Sequence, residues 1–217
     1  MKPELLALDL MGVVFEESDV VTAHLAPFAQ ARGSPLDLDA IRALYKRSSA
    51  GEFDAARLWR ALGVSEPEGA TADYVRLHRL APGAVPFLEW ARGHGIRIAG
   101  LSNDVGAWSR ALRERHGLPA LFEHWVISGD VGSRKPERAI FEALREVSGV
   151  PFEAWVFVDD HRANVEAASA LGVTAVLFSG DFDRLIRLVA DLFKVEGHPR
   201  PRPRSSAGPA TTSPGPP

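Results

Sequence analysis

The chain has 217 residues, 46% hydrophobic and 24% charged, which is the composition of an ordinary folded protein with room for one main domain and a modest insertion. Its formal charge of −3 argues against a nucleic-acid binder, and the lack of cysteine excludes disulfides, zinc–thiolate sites, iron–sulfur clusters and cysteine nucleophiles. No apolar run reaches the ~18 residues of a membrane span, and Asp9 interrupts the N-terminal apolar stretch, so neither anchor nor signal peptide is expected and a cytoplasmic location fits.

In chain order, a β-type apolar run occupies residues 5–10. About 80 residues then precede the next such run at 96–101, far more than one crossover helix needs. Helical patterns at 37–48, 54–62 and 71–80 predict an inserted all-helical subdomain there, with Asp37 and Asp54 as N-caps and Gly51 and Gly63 as stops. Further apolar runs at 126–127, 155–158 and 174–178 alternate with helical spacing at 105–116, 136–147, 162–171 and 182–193. This order predicts an α/β fold, a parallel Rossmann-like sheet covered by helices on both faces. The expected division is a core of residues 1–14 and 86–197, a helical cap insertion at 15–85, and a disordered tail at 198–217 that holds seven of the 16 prolines.

Open α/β sheets bind ligands beyond the carboxyl ends of their strands. Asp9 lies at the end of the first strand, Ser102 and Asn103 follow the second, Lys135 follows the third, and Asp159 and Asp160 end the fourth. Carboxylates converging from two strand ends repel one another unless a cation joins them, and hard oxygen ligands suit Mg²⁺. Lys135, with the hydroxyl and N–H groups around Ser102 and Asn103, suits the remaining oxygens of a phosphoryl group, which points to phosphoryl transfer.

The segments Asp9-Leu-Met-Gly-Val, Leu101-Ser-Asn, Arg134-Lys-Pro-Glu and Val158-Asp-Asp-His-Arg-Ala-Asn164 resemble, in order, the four motifs of the haloacid dehalogenase-like (HAD) superfamily. The resemblance is to its phosphatase-type members of subfamily I, which carry a helical C1 cap. It implies that Asp9 attacks phosphorus and forms an aspartyl-phosphate that water hydrolyses. It further implies Mg²⁺ held by Asp9, the main-chain carbonyl of Met11 and Asp160, with Asp159 acting directly or through water, and Asn164 orienting that shell. The implied substrate is a small phosphorylated metabolite; neither nucleic acid nor membrane is an expected partner, and the oligomeric state is not readable.

One position departs from the pattern. The family's phosphatases usually carry a second aspartate two residues after the nucleophile, as general acid and base, and here that position is Met11. A thioether can neither give nor take the proton. Three readings follow: a phosphatase for esters whose leaving group needs little protonation, a phospho-ligand-binding or partner-binding protein with a vestigial site, or a dehalogenase, whose displacement at carbon would leave the Asp159–Asp160 pair without a purpose. His161 is expected at the rim of the site and His24 facing it from the start of the cap. Tyr45, Arg47 and Phe53 are placed where the cap would present specificity groups, with core packing and solvation as the plainer roles. Hinges for cap closure are expected near residues 14–18 and 81–86, and the five tryptophans are read as packing residues.

Overall fold

The computed structural model describes residues 2–195, so the tail expected at 198–217 lies outside the described residues. Five strands, β1 (Leu5–Leu8), β2 (Arg97–Ser102), β3 (His124–Ile127), β4 (Trp155–Asp159) and β5 (Thr174–Leu177), form one parallel sheet in the order β3-β2-β1-β4-β5. β1 lies in the middle, paired in register with β2 (Leu5 opposite Arg97) and with β4 (Leu5 opposite Trp155). Strand β1 is buried along its whole length, and its side chains divide by alternation: Leu6 and Leu8 join one core and Leu5 and Ala7 the other.

Helices between and after the strands cover both faces. α5 (Ala84–Gly93) and α10 (Phe182–Phe193) pack over the first core through Phe87, Leu88, Ile186 and Val189. α8 (Arg138–Ser148) and α9 (Arg162–Ala170) cover the second core, with Phe141 edge-on to Phe157 at 5.6 Å. The remaining helices of this half are α6 (Gly106–Arg115) and the single turn α7 (Ser128–Val131). α5 was not expected from the sequence. Pro86 stands in its first turn, where a missing N–H is tolerated, rather than marking a loop.

Between β1 and α5 lie a π-helical turn (Val21–Leu25) that runs into α1 (Ala26–Ala31), then α2 (Leu38–Ser48), α3 (Ala55–Ala61) and α4 (Ala70–Val75). Asp37 and Asp54 cap α2 and α3 by accepting from the N–H groups of Ala40 and Arg57, both at 2.8 Å. α4 stops earlier than the helical pattern suggests because the chain is pulled into a pairing: Phe15 and Leu80 form an antiparallel bridge, with Glu16 N–H donating to Arg79 O at 3.0 Å and Ala81 N–H to Val14 O at 2.9 Å. The outgoing and returning segments therefore run side by side as a two-stranded ribbon.

Trp59 on α3 and Tyr74 on α4 both lie against Trp108 on α6, each with ring centroids 4.6 Å from it, and all three are almost fully buried. This aromatic seam binds the helices of the long β1–β2 connection to the sheet-covering layer. Trp108→Ala should cost about 3–5 kcal/mol, measured as a fall in the urea midpoint; a loss below about 1 kcal/mol would show that the seam adds little.

Candidate active site

Asp9 and Asp159 stand on neighbouring strands at the carboxyl edge of the sheet, where the strand order turns outward from β1, so the fold itself places two acids side by side. The Asp9 N–H donates to Val158 O at 2.9 Å, which continues the β1–β4 pairing up to the acid. Strand β1 ends just before it because Leu10 O accepts from Val14 and Phe15 N–H, both at 2.8 Å, and curls the chain into a turn. Carboxylate oxygens of Asp9, Asp159 and Asp160 all lie within 4.8 Å of one another.

The Lys135 ammonium is inserted between the first two acids, at 2.9 Å from Asp9 Oδ1 and 2.6 Å from Asp159 Oδ2, with its side chain fully buried. Asn103 sets its position: the side-chain amide donates to Lys135 O at 2.9 Å and its Oδ1 accepts from Lys135 N–H at 2.8 Å. Asn103 thus ties the loop after β2 to the loop that carries the lysine, an arrangement that spacing alone does not reveal. Asp159 also accepts from His161 N–H at 2.8 Å and from Asn164 Nδ2, at 3.0 Å to each oxygen.

These partners separate the two acids. Burial pushes the Asp9 carboxyl up to about 8, against the pull of Lys135 and with added repulsion from Asp159 and Asp160. Burial also works against the Asp159 charge, but Lys135, His161 N–H and Asn164 together hold its carboxyl below the ordinary value. Asp160 Oδ1 is buried without a hydrogen-bond partner, and so is Ser102 Oγ. A cluster of hard oxygen donors with one carboxylate oxygen left unsatisfied fits a divalent cation such as Mg²⁺. The turn after β1 is shaped to the same cluster: at Gly12, with φ +74°, an added Cβ would stand 2.2 Å from Asp160 Oδ2.

A cavity of about 430 Å³ is lined by Asp9, Met11, Asn103, Lys135 and Asn164 of this cluster, whereas Ser102, Asp159 and Asp160 are not part of its lining. Met11 is buried there, and its side chain brings no titratable group. His161 lines the cavity and lies 3.4 Å from Ser18 Oγ. His24 does not reach the cavity: its ring packs against His78 at 4.8 Å, and burial, with His24 and His116 nearby, lowers His78 to about 4. Phe15 lies edge-on to His78 and His116, so these histidines pack around the ribbon rather than the site.

Of the three specificity candidates, Tyr45 reaches the cavity and donates to Asn103 O at 3.1 Å. Arg47 instead pairs with Glu52 at 2.7 Å over the Phe53 ring, outside the cavity. Sequence reasoning missed Arg42, Lys46 and Arg134, which line the cavity. The signal was available for two of them, since Arg42 and Lys46 stand three residues before and one after Tyr45, on one face of α2.

Beneath Tyr45, Asp104 is buried, and burial pushes its carboxyl up to about 7, offset in part by the bonds from Val105 N–H and the Tyr45 hydroxyl. The folded-state value exceeds the unfolded one, so the favourable contribution is complete below about pH 4 and is lost as pH rises through 7. Asp104→Asn should remove on the order of 2 kcal/mol of the fall in stability between pH 5 and pH 8, read from urea midpoints at the two values, with Asp9 sustaining the rest of the slope. Gly12→Ala should lower the melting temperature and abolish its rise on adding Mg²⁺, because the new methyl group displaces Asp160; an unchanged Mg²⁺-dependent rise would show that the turn has slack.

A family model described as haloacid dehalogenase-like hydrolase matches residues 3–172. Among curated proteins, the chain is 27% identical over 190 residues to a phosphoglycolate phosphatase of Pseudomonas syringae pv. tomato, covering 82% of this chain and 70% of that protein. A phosphoglycolate phosphatase of Pseudomonas putida is 28% identical over 187 residues, covering 80% and 68%. Among solved structures, a HAD family enzyme of Bacteroides thetaiotaomicron, in complex with magnesium and inorganic phosphate, superposes with a TM-score of 0.73 at 18% identity, covering 85% of this chain and 100% of that one. A HAD phosphatase of Thermococcus onnurineus gives a TM-score of 0.64 at 22% identity, covering 82% and 86%. The family model spans most of the chain and the same fold recurs in these structures, so the chain belongs to the haloacid dehalogenase-like hydrolases.

Proposed function

We propose that the chain is a Mg²⁺-dependent phosphatase that hydrolyses small phosphate monoesters through Asp9. The observation that carries this reading is the convergence of Asp9, Asp159 and Asp160 at one strand edge around a buried lysine, beneath a cavity of small-molecule size. The phosphatase relatives and the magnesium- and phosphate-bound structural neighbour support it. Residues 15–85 form the cap over this core, and the enzyme acts in the cytoplasm.

In this reading an oxygen of Asp9 attacks phosphorus, the ester oxygen leaves, and water then cleaves the aspartyl-phosphate to return the free carboxylate and inorganic phosphate. Lys135 offsets part of the cost of burying the Asp9 charge and would neutralise phosphoryl oxygens. The Ser102 hydroxyl, which has no other partner, and the main-chain N–H at Asn103 would donate hydrogen bonds to the remaining oxygens. Asp9, Asp160, the Met11 carbonyl and Asp159, directly or through water, would hold Mg²⁺, with Asn164 fixing Asp159. When bound, the ion supplies charge stabilisation at the phosphoryl group.

Met11 leaves the departing oxygen without its usual proton donor, a term worth about 10²–10⁴ in rate. The enzyme should therefore favour esters with good leaving groups: p-nitrophenyl phosphate and sugar-1-phosphates over simple alkyl phosphates. Asp9→Asn should abolish Mg²⁺-dependent release of phosphate from all of them, whereas Met11→Asp should raise turnover of alkyl phosphates tenfold or more, both measured by phosphate release. Tight phosphate binding without turnover in the unmodified protein would replace this reading with that of a phospho-ligand-binding protein.

A further inference from the structure

One buried carboxylate is not used by the chemistry described above. Asp104 follows Asn103, the residue that clasps Lys135, and is only 2% exposed. Its main chain is fixed: Asp104 N–H donates to Ser128 Oγ, and Asp104 O accepts from Gly129 N–H, both at 3.0 Å. Its Oδ1 accepts from Val105 N–H at 2.7 Å, whereas Oδ2 is buried without a hydrogen-bond partner. An acceptor just before a helix is ordinary, but serine or asparagine supplies one without the cost of a buried charge. A carboxylate oxygen left unsatisfied in the interior therefore asks for a further role.

The other partner of Asp104 points to that role. The Tyr45 hydroxyl stands between two acceptors, 3.1 Å from Asn103 O and 3.4 Å from Asp104 Oδ1, and has one proton to give. The Tyr45 ring is stacked on Trp108 with centroids 6.3 Å apart, so the proton can pass from one acceptor to the other by rotation of the O–H bond alone. Asn103 in turn grips both backbone groups of Lys135, at 2.9 and 2.8 Å. Asp104, Tyr45, Asn103 and Lys135 thus form one continuous chain of hydrogen bonds from the interior to the wall of the cavity.

We propose that Asp104 is a positioning residue of the active site: through the Tyr45 hydroxyl that it shares with Asn103, it sets how firmly the Asn103 clamp holds Lys135 toward a bound oxyanion. This rests on the phosphatase reading of the same site. With Asp104 neutral, the hydroxyl proton goes to Asn103 O and braces the clamp. With Asp104 ionised, the charge-assisted bond to Oδ1 wins the proton, and Asn103 O is left without that donor. The charged and titratable groups that face Asp104 are Tyr45 on α2, Tyr74 on α4, Arg113 on α6 and Arg134 beside Lys135. Burial raises its carboxyl, while Val105 N–H, the Tyr45 hydroxyl and the two guanidinium groups pull it down, which leaves it at about 7. Anion affinity is therefore higher below this value and falls as pH rises through it.

Sulfate, whose charge is constant over the range used, tests this apart from turnover. In the full-length Asp9→Asn chain, which lacks the other raised acid, sulfate affinity measured by calorimetry with saturating Mg²⁺ should fall about threefold to tenfold between pH 6 and pH 9, the worth of one hydrogen bond. Adding Asp104→Asn or Tyr45→Phe should each remove most of that fall, and the two together should do no more than either alone. Carbon NMR of the Asp104 carboxyl follows its ionisation with and without Tyr45→Phe. A merely structural role would lower affinity equally at both pH values, and that result overturns the proposal. So does a fall that survives Asp104→Asn, the absence of any fall, or the absence of sulfate binding. A fall that survives Tyr45→Phe but not Asp104→Asn means that Asp104 acts through its charge alone, which overturns the route through the hydroxyl. Failure of turnover with every ester would reject the phosphatase reading while leaving the sulfate comparison to decide the role of Asp104.

Discussion

A single buried ammonium holds the centre of this structure. Lys135 stands between two acids on adjacent strands, and its side chain is removed from water as completely as that of Asp159. Moving such charges out of water costs several kcal/mol per ion, and the arrangement is tolerable only because each partner is engaged more than once. Asp159 has the ammonium, a backbone N–H and the Asn164 amide, whereas Asp9 has the ammonium and the Leu10 N–H. The asymmetry explains why Asp9 stays raised and Asp159 ends below its ordinary value, although burial opposes the charge of both. A nucleophile that is poorly stabilised as an anion and a neighbour that is firmly stabilised follow from the same lysine.

The lysine could not hold this place without the loop that presents it. Asn103, one residue past β2, clasps both backbone groups of Lys135 and carries the Tyr45 hydroxyl on its own carbonyl. One asparagine thereby connects the strand edge, the lysine loop and a helix of the long β1–β2 connection. Packing and charge chemistry meet at the same point: the ring anchored by that carbonyl is the one over which Arg134 lies.

Much of this was legible in the residue order, for identifiable reasons. Strands buried on both faces leave near-continuous apolar runs, and acids placed just beyond them are conspicuous because an apolar run has no other use for a charge. N-caps such as Asp37 and Asp54 are legible because their bonds are local. What depends on distant pairing was not. α4 ends early because Leu80 pairs with Phe15, 65 positions away in the chain, and α5 was masked by a proline that belongs to its first turn. His24, chosen for its position near the start of the insertion, turned toward His78 because the histidines and Phe15 pack together where the two segments of the ribbon meet. Arg134 reads in the sequence only as part of a motif, since its lack of an acidic partner within 4.0 Å among the described residues is a property of space and not of order.

The same interactions limit how far the helices over the cavity can move. A swing away from the sheet layer would have to separate Trp59 and Tyr74 from Trp108 and break the Tyr45 bond to Asn103. Re-exposing even one large apolar side chain costs roughly 1.5–3 kcal/mol, and the hydrogen bond adds about 1. An opening cost near 3 kcal/mol already confines the open form to about 1% of molecules or fewer. Residues 17–19 meet no such seam: Ser18 touches the exposed His161 at 3.4 Å, and Asp19 is held by Arg42 and Thr22 on the exposed side, before the chain re-enters the core at Val20 and Val21. The cost of displacing this three-residue strap is set by polar contacts rather than by buried apolar area, so in energetic terms it is the cheaper part of the cavity wall to move.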